Sequence, residues 1–285
     1  MNKIYSSAII MALVSLVACN KEGVQTVGET LSANAYISPE TKTEYVIGNY
    51  GEKAGVKVSW SDEDSFKAYY DGSKNPINFS KKAAGSSFSA TDVPAGVTAS
   101  TTFTGLYGSA ATLNSDGKID IDFSKQNGEL DNLAAYDVMT ATSKLTDGML
   151  SFAFHHNCAI LRLKCVNYTE EEVKFVILDF AMAEVSKEFA STGFDQSLPM
   201  CIRLKLRLDK PVAKDSKEAK GVEEYRYVMV PAMNYCNSMN ESPSPSDYSG
   251  FHRVITFYEN KFIEARKVYD VLCEYGFKGG IVEAD

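Results

Sequence analysis

Three histidines are the first candidates for acid–base or metal chemistry: His155, His156 and His252. Adjacent residues of a β-strand point to opposite faces, so His155 and His156 cannot bind one metal ion together in a regular strand. No Asp or Glu stands beside them in the sequence. His156 falls on the same predicted face as Phe152 and Phe154, which favours a packed, hydrogen-bonded histidine. We therefore predict no metal site and no catalytic residue here.

An acidic run, Asp62-Glu63-Asp64, is the next candidate, because carboxylate oxygens are the ligands that calcium prefers. The run lacks the spacing and the glycine of an EF-hand loop. We predict a solvated turn between two strands. The sequence also holds no nucleophile elbow, P-loop, zinc-protease or dinucleotide motif. No cofactor is expected, and an enzyme is the least favoured class of function.

Cys19 is the residue whose position indicates a specific covalent chemistry. Lys3 is the only charge before it, and the apolar run 8–18 is shorter than the ~20 residues that span a bilayer. This pattern is typical of a signal peptide over residues 1–18. Residues 16–19, Leu-Val-Ala-Cys, are typical of a lipobox, in which the new N-terminal Cys carries lipid through a thioether. We predict that acylated Cys19 anchors the chain through a tether over 19–30, the alternative being an ordinary secretory signal.

The other cysteines are five in number, so they cannot all pair with one another. None stands in a C-x-x-C spacing, which argues against a zinc or redox site. Most are expected to be small buried apolar residues. One disulfide in the second half stays an open alternative, which the sequence does not place. These residues are Cys158, Cys165, Cys201, Cys236 and Cys273.

Composition limits the partners and supports a globular protein. The hydrophobic content is 45%, which is enough for a sizeable core, and the formal net charge is −8. Such a charge gives no basic footprint for nucleic acid. We therefore expect no nucleic-acid partner.

Alternating apolar and polar residues recur along most of the chain, as half-buried strands require. The clearest case is Ile202, Leu204, Leu206 and Leu208, which alternate with charged residues. Turn signals such as Asp147-Gly148 separate the runs. Many short strands with this punctuation predict an all-β protein built of β-sandwiches.

The two halves of the chain differ in composition. All six arginines lie at or after Arg162, and every cysteine except Cys19 lies at or after Cys158. We predict an N-terminal β-sandwich domain over 31–148 and a C-terminal one over 149–285. Within the second, apolar residues at helical spacing predict a helix between Glu259 and Tyr275.

Four segments, taken in order, carry a family resemblance: Lys-Val-Ser-Trp-Ser-Asp-Glu-Asp at 57–64, then 123–133, 136–141 and 150–161. Following a lipobox, this series resembles the fimbrillin-like lipoproteins of Bacteroides-type bacteria, which include the type V pilins. The resemblance covers roughly residues 30–165 and continues more loosely to Pro231.

The resemblance implies two tandem transthyretin-like β-sandwich domains of Greek-key topology, exported as a lipoprotein to the outer-membrane surface. It implies a structural or adhesive subunit of fimbriae. In polymerising members a protease removes the N-terminal strand, and the vacated groove accepts a strand from the next subunit. Residues around 30–60 would supply the exchanged strand here. The implied partners are other fimbrial subunits, the outer membrane through the lipid, and host or bacterial surface ligands.

Two features depart from that family pattern. Polymerising members are typically cleaved after a basic residue, often Arg, and no Arg precedes Arg162. Lys42 and Lys53 are the candidate processing sites. The C-terminal segment Gly276–Asp285 does not have the pattern of a strand for donation. A shaft, anchor, tip or minor subunit therefore all remain open.

A carbohydrate-binding lipoprotein of the outer membrane that does not polymerise is the alternative function. Such a protein needs exposed Trp or Tyr side chains on which sugars stack. Trp60 is the only tryptophan, and its alternation with Val56 and Val58 predicts that it is buried.

Overall fold

The structure is a computed structural model. It describes residues 30–37, 45–46, 51, 55–56, 60, 62–70, 73, 75–82, 85–95, 97–181, 183–197, 201–214, 221–235, 251–255 and 262–275. Strands dominate, which confirms the all-β prediction. The one α-helix in these ranges is the single turn α1 (Leu133–Tyr136). None of the helices in these ranges is long and apolar enough to span a membrane.

The strands of the first part of the chain are β1 (Leu31–Ile37), β2 (Tyr45–Val46), β3 (Gly55–Val56), β4 (Ser65–Tyr70), β5 (Ile77–Lys81), β6 (Ser87–Ala90), β7 (Thr102–Tyr107), β8 (Thr112–Leu113), β9 (Ile119–Asp120), β10 (Met139–Lys144) and β11 (Met149–His156). Those that follow are β12 (Cys158–Asn167), β13 (Val173–Ala181), β14 (Ala183–Val185), β15 (Phe189–Ser191), β16 (Cys201–Val212), β17 (Val222–Pro231), β18 (Met233–Tyr235), β19 (Phe251–Ile255), β20 (Phe262–Ile263) and β21 (Val268–Tyr275). Two 3₁₀ turns, Phe123–Lys125 and Leu130–Asn132, precede α1.

Seven strands close into a barrel in the order β1-β11-β10-β7-β4-β5-β6, and β6 pairs with β1 to complete it. Most neighbours are antiparallel, whereas β1 runs parallel to β11. A closed barrel has no unpaired edge, so every one of its strands has a neighbour on each side. The two-sheet sandwich expected for this part of the chain is therefore, in its hydrogen bonding, one continuous sheet.

Phenylalanines fill the barrel. Phe66 and Phe79 stack with ring centroids 5.0 Å apart, and Phe66 also meets Phe152 edge-on at 5.1 Å. Gly105 on β7 leaves the space that these rings need, because a Cβ there would lie 2.9 Å from the Phe154 ring. Close packing of this kind makes the interior intolerant of changes in volume.

We name the described strands outside the barrel the second body, and the larger cluster of buried apolar residues the second core. Two three-stranded sheets, β17-β12-β21 and β16-β13-β19, form the main part of the second body. Strand β12 is buried on both faces along nearly all its length. The alternation predicted for β16 is confirmed from Leu204 to Leu208, since the three leucines are buried while Lys205 and Arg207 are exposed. It fails at the start of the strand, where Ile202 is half-buried and Arg203 is buried. The smaller sheets within the described residues have the orders β14-β18-β20, β15-β9-β8 and β2-β3.

The helix predicted between Glu259 and Tyr275 is wrong, because the described part of that segment forms β20 and β21. Val271 and Cys273 are buried, two residues apart, against the second core. The helical spacing of other apolar residues there is coincidental. Pairing with β12 along eight positions decides the conformation instead.

The change from one set of sheets to the other falls between β11 and β12. Strand β11 begins at Met149 and pairs with β1 and β10 of the barrel. Strand β12 begins at Cys158 and pairs with β17 and β21. The backbone pairing of residues 149–156 therefore assigns them to the barrel.

Candidate functional site

The strand β1 occupies a slot between two other strands of the barrel. On one side it pairs antiparallel with β6, from Leu31↔Ala90 to Asn34↔Ser87. On the other it pairs parallel with β11, from Ser32↔Met149 to Ile37↔Phe154. Ladders on both sides mean that removing β1 would leave two rows of unpaired backbone N–H and C=O groups.

The side chains of β1 alternate strictly between the core and the outside. Leu31, Ala33 and Ala35 are buried, whereas Ser32 and Tyr36 are exposed. The buried three belong to the cluster that fills the barrel, and two of them are alanines. Any strand with small or medium apolar residues at alternate positions can present the same face.

Bulky rings lie beside these small residues. Ala33 is the register partner of Phe88 on β6, and Ala35 is that of Phe152 on β11. We name as the β1 groove the facing edges of β6 and β11 together with Phe88, Phe152 and Phe154. All three rings are almost completely buried with β1 in place.

Trp60 closes over this strand. Its Nε1–H donates to the carbonyl oxygen of Ala35 at 2.8 Å, and its ring meets Phe88 and Phe154 edge-on at 5.1 and 5.7 Å. The residue is half-buried. The acidic turn after it lies where predicted, with Asp62 and Glu63 exposed. A tryptophan held in this way is not an open platform for stacking a sugar.

Tyr107 extends the contacts around Trp60. Its ring lies 5.4 Å from that of Trp60, and its hydroxyl donates to Asp64 Oδ1 at 3.0 Å. Burial, together with the nearby Asp64 carboxylate, raises the pKa of Tyr107 well above its usual value. The phenol is thus a neutral hydrogen-bond donor that fixes the turn beside the groove.

His156 is a packed, hydrogen-bonded histidine, as predicted. Its Nδ1–H donates to Asp137 Oδ1 at 2.8 Å, and both side chains are 2% exposed. The partner was missed because Asp137 lies nineteen positions earlier in the chain, between α1 and β10. His155, on the opposite face, is exposed.

A small cavity of about 10 Å³ borders His156, Asp137 and Cys158. The Nε2 atom of His156 is buried and has no hydrogen-bond partner within the described structure. This volume suits a single water molecule and is far too small for a substrate. Burial raises the pKa of Cys158 well above its usual value, which leaves its thiol unreactive.

Two buried arginines in the second body form ion pairs that sequence analysis did not predict. Arg203 donates to Asp179 through Nε and Nη2, at 2.6 and 2.7 Å. Arg162 donates to Asp270 in the same two-pronged way, at 2.5 and 2.7 Å. In each case the two residues are direct register partners on neighbouring strands. The alternation around Leu204 predicts that Arg203 lies on the polar face, whereas the structure buries it.

Several of the predicted site residues lie where the structure gives no account of them, and the described cysteines are buried or half-buried. Cys19, Lys42 and Lys53 lie outside the described residues, as do Cys236 and the C-terminal Gly276–Asp285. Cys158, Cys165 and Cys273 are buried and Cys201 is half-buried, and none of these four is in a disulfide. Within the described ranges, no group of three or more His, Cys, Asp and Glu is placed to hold a metal ion.

Comparisons with known proteins gave matches among solved structures alone. No protein-family model matches the chain, and no curated protein matches it. A proposed cell adhesion protein from Bacteroides fragilis superposes with a TM-score of 0.37 and 12% identity, over 88% of this chain and 95% of that one. A second, from Bacteroides ovatus, gives a TM-score of 0.36 and 11% identity, over 72% and 81%. A fimbrial protein from Bacteroides ovatus gives 0.30 and 13%, over 86% of this chain and 48% of that one. The structures that match the chain thus include Bacteroides proteins described as cell adhesion or fimbrial proteins.

Proposed function

We propose that this protein is a fimbrillin-like surface lipoprotein, a structural subunit of fimbriae whose strand β1 is replaced by a strand from another subunit. The observation that carries the proposal is the position of β1: the first described strand fills a slot with pairing edges on both sides. A strand donated by a neighbour satisfies those edges by β-augmentation.

The connection after β1 is what permits replacement. Lys42 follows the end of β1 at Ile37, and Lys53 precedes β4. Cleavage after either lysine would cut the covalent link between β1 and the barrel strands from β4 onward. The cut strand would then be held by non-covalent contacts alone. A trypsin-like protease has the specificity for such a cut.

Assembly follows from the geometry of exchange. The groove of one subunit and the donated strand of another are different surfaces, so the contact is heterologous and head-to-tail. Such a contact continues into a filament unless its rotation closes a ring. Two transthyretin-like domains in tandem, the arrangement that the family resemblance implies, would give the subunit its length.

The anchor sets which role the subunit takes. Lipid on Cys19 would hold the uncut protein at the outer membrane, and a cut beyond Lys42 would release it together with β1. A subunit that keeps Cys19 serves as an anchor, a tip or a minor component. A subunit that loses it joins the shaft. N-terminal sequencing of material from the cell surface distinguishes these two states.

Polymerisation tests the proposal. Mature protein treated with a trypsin-like protease should lose β1 and give a ladder of high-molecular-weight species. The double variant Lys42→Gln/Lys53→Gln should stay monomeric, whereas Lys125→Gln, which removes an exposed lysine elsewhere, should behave as wild type. A persistent monomer after release of β1 would contradict the proposal.

A further inference from the structure

Two cysteines lie opposite each other on the last described strand and its neighbour. Cys165 on β12 and Cys273 on β21 are direct register partners in a parallel pair. Register partners of neighbouring strands present their side chains on the same face. Both residues are 0% exposed, so the two thiols share one dry site in the second core.

The spacing of this pair suits a covalent bond. Neighbouring strands lie about 4.7–4.9 Å apart, inside the range of roughly 4.4–6.8 Å that a disulfide requires between its Cα atoms. The Cys273 thiol lies close enough to raise the pKa of Cys165 above its usual value through hydrogen bonding. The other described cysteines have no such neighbour, since Cys158 is opposite Pro231 and Cys201 is opposite Ala181.

We propose that Cys165 and Cys273 form a disulfide that fastens β21 to β12 in the exported protein. The inference rests on the proposed function only for export, which takes the chain into an oxidising compartment. In the reaction a thiolate of one cysteine attacks a disulfide oxidant and releases one of its thiols, which leaves a mixed disulfide. The second cysteine, as thiolate, then attacks that mixed disulfide and displaces the oxidant's other thiol. Two thiols lose two protons and two electrons to form one S–S bond, and the oxidant is reduced to two thiols.

The bond forms before the strand is buried. Hydrogen bonding with Cys273, and then burial, raise the pKa of Cys165 well above its usual value. Since the thiolate is the nucleophile, the folded dithiol reacts slowly. An oxidant therefore reaches the pair while the edge strand β21 is still undocked. Once folded, the same burial protects the disulfide from reductants.

The consequence is a strand that cannot leave. A bond between Cys165 and Cys273 closes a loop of roughly a hundred residues, for which disulfides stabilise strongly. The strand β21 then stays in its own subunit, and exchange is confined to β1. Because β21 cannot be exchanged and β1 can, each subunit accepts a donated strand at one site only, which gives the assembly a direction.

Peptide mapping tests the bond directly. Protein recovered from the cell surface is alkylated under denaturing, non-reducing conditions and digested. The expected product is a linked pair of peptides that contain Cys165 and Cys273, lighter than the free pair by two hydrogens. Free thiols at both positions, or a link from either one to a different cysteine, would overturn the proposal.

A refolding experiment separates this inference from export. The purified mature chain is refolded with reduced and oxidised glutathione, so that no cell compartment is involved. Wild type should form the bond and melt roughly 5–15 °C above the double variant Cys165→Ser/Cys273→Ser measured alongside it. Reductant added during unfolding should remove the part of the difference that the bond causes. Cys201→Ser should retain both the bond and its sensitivity to reductant.

Equal melting temperatures of the oxidised and reduced wild-type protein would overturn the proposal. Ladder formation after protease treatment does not depend on this bond. A protein that polymerises with free thiols at these positions therefore contradicts the disulfide alone. A protein that forms the bond but never polymerises contradicts the exchange of β1 alone.

Discussion

The first and last described strands both run parallel to a neighbour, but different forces hold them. Strand β1 lies between β6 and β11, and its core-facing side chains are small or medium-sized apolar residues. Among the described strands, β21 pairs with β12, and residue-specific contacts hold it. These include the Arg162–Asp270 ion pair and a hydrogen bond from Tyr168 to Glu274 at 3.2 Å.

Under the proposed function, this difference distinguishes a strand that another subunit can replace from one that stays in its own subunit. Any strand with apolar residues at the right alternate positions can form the same backbone hydrogen bonds with β6 and β11 and present the same apolar face. The charges and thiols around β21 can be supplied only by that strand. We therefore expect substitutions in β21 to change only the stability of the subunit. Substitutions in β1 should also change how fast the cleaved strand leaves the β1 groove.

The largest effect is expected for Asp270→Ala. It leaves Arg162, whose side chain is 1% exposed, without its carboxylate partner. Breaking a buried pair from one side costs about 3–5 kcal/mol of the free energy of unfolding. Denaturant titration measures the loss. Asp62→Ala, which removes an exposed partner of Lys81, should cost less than about 1 kcal/mol. Equal costs for the two variants would contradict the special attachment of β21.

A smaller loss is expected for Leu31→Ala in β1. Leu31 is 0% exposed, and truncating a buried leucine costs about 2–5 kcal/mol. After protease cleavage the same variant should release β1 faster than wild type, because the apolar contact is lost. Ser32→Ala, on the outer face, should change neither value measurably. Unchanged release from the Leu31 variant would show that the apolar face does not hold the strand.

The smallest effect is expected for Trp60→Phe. Phenylalanine keeps an aromatic ring but removes the hydrogen bond to the Ala35 carbonyl, worth about 1 kcal/mol. Circular dichroism during thermal unfolding measures the change, since the variant has no tryptophan to follow. Trp60→Leu should cost more, because ring contacts are lost as well. If Trp60→Phe matched wild type in stability, Trp60 would have no part in holding β1.

Local alternation was sufficient to predict much of this fold. The faces of β11 and β16, the burial of Phe152 and Phe154, and the turn at Asp147-Gly148 are all visible in spacing and residue type. Both residues of that turn have positive φ, 52° and 77°, as an Asp-Gly turn allows. The packing of His156 against the core could also be predicted from its face.

Long-range pairing could not be predicted in the same way. Nothing near Arg162 in the sequence indicates Asp270, and the two meet only because β21 pairs in parallel with β12. The same pairing explains why β21 is a strand although its apolar residues have helical spacing, and it brings Cys165 opposite Cys273. The slot around β1 likewise depends on closure of the barrel by β6. These features are set by topology, which single-strand patterns do not contain.

The most direct test of the account is strand exchange in the groove itself. Mature protein is cut by a trypsin-like protease and mixed with a dye-labelled peptide of residues 30–37, while fluorescence of the single Trp60 is followed. The account predicts that the peptide is incorporated with one copy per subunit and that Trp60 becomes more exposed to water whenever the groove is empty. A control peptide with Asp at the positions of Leu31, Ala33 and Ala35 should not be incorporated. If the authentic peptide is likewise not incorporated after the cut β1 has left, the claim that β1 is replaceable is contradicted.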